Sequence, residues 1–303
     1  MEEPEYPGAR GPERSWDFDS MGFRLRVHEW GDPAAEPILL SHGMWDHSRG
    51  FDQLAPLLAE RYRLVGIDAR GHGESAWADA YTWPHDVADI VRLLEHLGGA
   101  HLLGHSKGGG QVTEAAKVAP QHARMVINVD GFGPPEKLEP PPGMPERPEP
   151  GTPEGFAAFL DARRRSKTRP DWRPYGSIDE LVARRKRMNP RLSAAWLRYF
   201  CWHGSRRGED GVRWKADPMA GMGAGPWKPE WVGPSWAGLK SPMLAIVGSE
   251  QDTWGPLPRE LLQRRLAHAP EVRLETVADA GHFPHMEQPR AVAALVLDFL
   301  EGG

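Results

Sequence analysis

The sequence predicts an α/β protein: a mainly parallel central sheet with helices on both faces, interrupted by an inserted segment. Three observations predict it. Short apolar runs ending in glycine-containing turns alternate with stretches whose apolar residues recur at helical spacing. The stretch from Pro134 to Trp236 holds 19 Lys and Arg against 13 Asp and Glu, whereas the remainder holds 18 against 29. That stretch also contains seven of the thirteen tryptophans and about half of the 30 prolines, so it reads as a block set into a regular alternation.

Residues 1–14 are polar and rich in Pro and Gly, and a loose tail is expected there. Residues 23–28 alternate with period two, as a half-buried strand does. The runs 37–42 and 62–67 are short and apolar, which suits strands covered on both faces. Apolar residues at 87, 90, 91, 94 and 97 predict a helix. A strand at 101–104, a helix over 107–118 and a strand over 125–129 follow. Beyond the insertion come strand 242–247, helix 259–267, strand 272–277 and a closing helix over 290–300. The expected division is a core of residues 1–132 and 239–303, with 133–238 inserted.

Composition narrows the function. A chain of 303 residues with a net charge of -5 supports a substantial core and argues against bulk nucleic-acid binding. No run of eighteen apolar residues occurs, so no membrane span is expected. The acidic start, Met1 to Glu5, lacks the apolar stretch of a secretory signal, and a cytoplasmic location is expected. Cys201 is the sole cysteine, which excludes an intramolecular disulfide and a multi-cysteine zinc site. The pair His42 and His47 is too sparse to make a metal site, so neither metal nor cofactor is expected.

Chemistry concentrates just after the strands, where ligands of such sheets sit. Gly104-His105-Ser106-Lys107-Gly108 has the form Gly-x-Ser-x-Gly between a strand and a helix. A serine at so sharp a turn projects above the sheet, next to a helix N-terminus that favours a developing anion. It needs a base, and Gly281-His282 after the last strand supplies one in His282; His285, beyond Pro284, is a weaker candidate. The imidazole needs an acid in turn. Asp252, after strand 242–247, is favoured by the chain order Ser106, Asp252, His282, with Glu250 and Asp130 as alternatives. The backbone amides of Met44 and Lys107 are the candidate oxyanion donors. Trp45, Trp254 and His105 adjoin these loops and are candidates for contact with substrate.

Taken together, His42-Gly43-Met44, Asp68 to Ser75, Gly104 to Gly109, Asp252 and Gly281-His282 resemble the α/β-hydrolase superfamily over residues of about 20–132 and 240–301. The resemblance implies the α/β-hydrolase fold, with 133–238 as a helical lid containing helices at 156–160 and 192–200. It places Asp68 to Ser75 at a turn after the fourth strand, where the segment shapes the fold. Within the superfamily the chain looks like the esterase, lipase and C-C hydrolase branch. Lys107 departs from the uncharged residue usual there; such a cation either favours an acidic substrate or points to solvent. The clusters Arg163 to Arg165 and Arg184 to Arg187 read as solvated helix faces, or alternatively as attraction for an anionic substrate. Lid tryptophans, Trp196 and Trp227 among them, read as packing, and Pro140 to Pro142 as a stiff or loose lid entry.

The expected activity is hydrolysis of a small-molecule carboxylic ester through an acyl-enzyme. The same residues would serve a thioesterase, lactonase, C-C hydrolase or cofactor-free perhydrolase. A non-catalytic ligand-binding relative is the reading of another class. Oligomeric state and natural substrate are not legible.

Overall fold

The computed structural model describes residues 2–136, 148, 151–168, 171–221, 228–252, 255 and 257–302. In chain order, β1 (Arg14–Ser20), β2 (Phe23–Trp30) and β3 (Pro37–Ser41) lead through a 3₁₀ turn at Ser48–Phe51 and α1 (Ala55–Leu58) to β4 (Arg63–Ile67). Next come α2 (Trp83–His96), β5 (Ala100–His105), α3 (Lys107–Val118) and β6 (Ala123–Val129). The inserted stretch contributes α4 (Pro153–Thr168), α5 (Ile178–Met188), α6 (Ala194–His203), the hairpin β7 (Ser205–Gly208) and β8 (Gly211–Trp214), and α7 (Val232–Ser235). β9 (Met243–Gly248), α8 (Arg259–Leu266), β10 (Val272–Val277), α9 (Pro284–Glu287) and α10 (Pro289–Glu301) complete the chain.

Among the described residues, eight strands form one sheet in the order β1-β2-β4-β3-β5-β6-β9-β10. The β1–β2 and β2–β4 pairs are antiparallel and the remaining neighbours parallel. The central strands are mostly apolar and largely buried because both faces are covered. Leu39, Val65 and Leu102 face α2 and α3, while Ile38, Leu40, Leu64 and Leu103 face α1 and α10. Among the described residues no helix is long and apolar enough to cross a membrane.

Two expectations need correction. The stretch 1–14 is not loose from Tyr6 onward. Tyr6 packs edge-on against Trp196 at 5.1 Å, Arg10 N–H donates to Asp52 O at 2.9 Å, and Arg10 O accepts from Trp30 Nε1 at 3.0 Å. The inserted stretch is also not wholly helical, since β7 and β8 pair within it. It has an apolar centre of its own, built from Leu181, Trp196, Phe200 and Trp214 and extended by Phe283 and Met286 beside His282. Pro140 to Pro142 and Trp227 lie outside the described residues.

The segment after β4 is structural, as the resemblance implied. The buried Asp68 carboxylate accepts from the Ser48 and Glu74 amides at 2.8 and 2.9 Å and lies 3.3 Å from His28 Nε2. It joins β2, β4 and the 3₁₀ turn, and so holds the loop that follows β3.

Candidate active site

β5 runs buried up to His105, and the chain reverses into α3 at Ser106. Ser106 has φ 53° and ψ -120°, a strained combination for a residue with a Cβ. The turn closes only because its neighbours lack side chains. A Cβ at Gly104 would lie 2.3 Å from Gly108 O, and one at Gly108 would lie 2.3 Å from Ser41 O. Ser106 Oγ therefore stands clear of the sheet, 3.0 Å from His282 Nε2.

The acid against the imidazole is Asp130, not the favoured Asp252. His282 Nδ1 lies 2.7 Å from Asp130 Oδ2. The carboxylate requires the proton on Nδ1, which leaves Nε2 as the acceptor facing the serine hydroxyl. Asp130 follows β6 with φ 48°, and its N–H donates to Ile246 O of β9 at 2.8 Å; this left-handed turn aims the carboxyl at the ring. Asp252 approaches the same histidine from its backbone side. Its Oδ2 accepts the His282 N–H at 2.7 Å and its Oδ1 accepts the Gly255 N–H at 3.1 Å. Glu250 faces outward and accepts from Ser249 Oγ at 2.9 Å, away from the ring.

His105 also differs from expectation. It is 1% exposed, and its Nε2–H donates to His282 O at 2.7 Å. It supports the loop that carries His282 from beneath and is buried rather than open to solvent. Trp45 is half-buried, edge-on to Trp172 at 5.6 Å and 6.1 Å from the His72 ring. Trp254 lies outside the described residues.

Two backbone amides are oriented by their own peptide groups. Ala69 N–H donates to His42 Nε2 at 3.0 Å, so His42 carries its proton on Nδ1 and donates to Gly43 O at 2.8 Å. Asp46 N–H reaches the same carbonyl at 3.3 Å. In a trans peptide the C=O and N–H point opposite ways, so the Met44 N–H is turned away from these donors. Ser106 O likewise accepts from Gly110 N–H at 3.2 Å, which leaves the Lys107 N–H at the open end of α3. Lys107 itself takes neither expected course: its Nζ pairs with Asp86 Oδ2 at 2.7 Å, an oxygen that also accepts from Gln111 Nε2 at 3.0 Å.

The electrostatics separate His282 from the histidines around it. Burial pushes its pKa down, but the Asp130 hydrogen bond and charge, with smaller help from Asp252 and Asp46, outweigh this and raise it. Burial holds His47, His72 and His105 well below the usual histidine range and takes His203 and His285 down to about 3. These five stay neutral in the fold but take up protons when it opens below their ordinary pKa of 6.5. Stability is therefore present above about pH 6.5 and falls as pH drops, by up to about 1.4 kcal/mol per pH unit for each histidine. Thermal denaturation followed from pH 7.5 down to 4.5 should give a steadily falling Tm. A Tm unchanged across that range would contradict this.

Comparison with known proteins follows the same lines. The profile of the Alpha/beta hydrolase family matches residues 38–295. The chain is 28% identical over 289 residues to the 3-hydroxybutyrate-oligomer hydrolase of Cupriavidus necator, covering 89% of this chain and 90% of that protein. In structure it is similar to the thioesterase domain from the curacin biosynthetic pathway, with TM-score 0.78, 21% identity and coverage of 94% and 99% of the two chains. It is similar also to E-2-(acetamidomethylene)succinate hydrolase, with TM-score 0.74, 22% identity and coverage of 95% and 99%. The sheet order, the strained serine turn and a profile match across most of the chain lead to one conclusion: this protein belongs to the alpha/beta hydrolase family.

Proposed function

We propose that the protein is a serine hydrolase that cleaves carboxylic esters through an acyl-enzyme. The observation that carries this is the unbroken chain from Ser106 Oγ through His282 to Asp130, at 3.0 and 2.7 Å. His282 Nε2 takes the Ser106 proton as Oγ attacks the ester carbonyl. The oxyanion that forms is received by the Met44 and Lys107 amides, and Asp130 stabilises the imidazolium. His282 then delivers the proton to the leaving alcohol and next activates the water that releases the acid. In this reading residues 133–238 act as a lid, and Trp45 is part of the wall beside the acyl group. Because a relative of similar length is named for 3-hydroxybutyrate oligomers, esters of short hydroxy acids belong in the first substrate panel.

The test is hydrolysis of p-nitrophenyl esters from acetate to decanoate and of the linear 3-hydroxybutyrate dimer, with fluorophosphonate labelling mapped by mass spectrometry. Turnover on this panel with label on Ser106 is expected. A folded protein that neither turns over any ester nor takes the label would overturn the reading.

A further inference from the structure

Trp45 follows the candidate oxyanion residue and has φ 62°, a left-handed conformation that a bulky side chain adopts only under constraint. The constraint comes from the inserted stretch. Trp45 O accepts from Trp214 Nε1 on β8 at 3.1 Å and from Arg185 Nη1 on α5 at 3.3 Å. The other terminal nitrogen of Arg185 pairs with Asp46 Oδ1. On the opposite side Trp45 N–H donates to His72 Nε2 at 3.3 Å.

This ion pair is buried, with side chains 15% and 2% exposed, and the guanidinium lies over the rings of Phe200 and Trp214 at 5.1 and 5.6 Å. A buried pair of this kind cannot lose one member without stranding the other. Arg185 belongs to the basic run that the sequence offered as a solvated face or an anion attractant, and it is neither. Its partner Asp46 is the residue whose N–H holds Gly43 O, and Gly43 O sets the direction of the Met44 N–H. Contacts therefore run without a gap from α5 to the amide that faces the oxyanion.

We propose that Arg185 is a positioning residue for the oxyanion donor, so that the inserted stretch builds the catalytic geometry in addition to covering it. The proposal rests on the serine-hydrolase reading. Displacing α5 removes one donor from Trp45 O and the counter-charge from Asp46. Trp45 then relaxes toward negative φ and the Met44 amide turns out of place. Motion of the insertion would thus switch chemistry as well as access.

The experiment compares Arg185→Met with wild type and Ser106→Ala on p-nitrophenyl butyrate, and measures inhibition by an alkyl trifluoromethyl ketone. The ketone adds Ser106 Oγ to form an anionic hemiketal that needs the oxyanion donors. Arg185→Met should lower kcat by roughly 30- to 100-fold, weaken the ketone by the same factor, and leave KM within about threefold. In a Trp45→Gly background, where left-handed backbone is free of strain, the same substitution should cost less. Unchanged kcat and ketone affinity, or a loss confined to KM, would overturn the proposal. Should Arg185→Met fail to fold, Asp46→Asn is judged by the same measurements. Activity retained by Ser106→Ala would instead remove the underlying serine-hydrolase reading, and the proposal with it.

Discussion

Ser106→Ala should lower kcat by at least about a thousandfold while leaving fold and Tm unchanged. The hydroxyl makes a side-chain contact to His282 Nε2, and its loss removes the attacking atom without disturbing the turn. Alanine keeps the Cβ that Ser106 already holds at φ 53°, so backbone strain is the same in both proteins. The residual rate would come from the oxyanion donors and from binding alone. Active-site titration with a fluorophosphonate alongside steady-state kinetics makes the check. An alanine variant with near wild-type kcat would show that another group attacks the ester.

Asp130→Asn should be nearly as damaging, lowering kcat by roughly a thousandfold or more. An amide at this position can offer its NH2 to Nδ1, which moves the ring proton to Nε2 and aims a donor at the serine that must lose its own proton. The pH profile should move as well. His282 acts as a base only when neutral, and kcat/KM falls as pH drops through its raised pKa. Removing the Asp130 charge leaves burial dominant, so the acidic limb should shift to lower pH even as the plateau collapses. Asp252→Asn should cost within about tenfold and shift the limb less, since an amide oxygen still accepts the His282 N–H. A reversed order, with Asp252→Asn the more damaging, would return the acid to the position that the sequence favoured.

That reversal between two aspartates marks where sequence reading stops. Ser106 was legible because glycines at 104 and 108 are demanded by close backbone contacts, and His282 because it follows the last strand. The acid was not legible, because β6 and β9 are neighbours in the sheet and each is followed by an aspartate. Which carboxylate meets Nδ1 is decided by the left-handed turn at Asp130, a dihedral that no spacing reveals. His105 could have been excluded from the sequence. It alternates with Ser106 at the end of a buried strand, so its side chain belongs beneath the site. The central strands were readable from their apolar runs, whereas β7 and β8 are four residues each and polar in part, with Glu209-Asp210 between two glycines as the available signal. Lys107 and Arg185 eluded the reading for a common reason. Long charged side chains find partners, here Asp86 and Asp46, at sequence distances that no local pattern encodes.

The neighbouring of β6 and β9 has one more consequence, which concerns assembly. The two strands meet across the whole inserted stretch, from Val129 to Met243. Everything on the first side of that seam, including Ser106 and Asp130, belongs to the part of the chain made earlier; His282 belongs to the part made last. In the proposed serine-hydrolase reading, a molecule parted at the seam holds the nucleophile and the acid but lacks the base, and should not turn over ester. Closing so long a connection adds little entropic cost beyond that of a moderately long one, since each doubling of a loop adds only about 0.6 kcal/mol. In that reading the seam ties the onset of turnover to completion of the sheet, and a chain interrupted within the insertion holds Ser106 without its base.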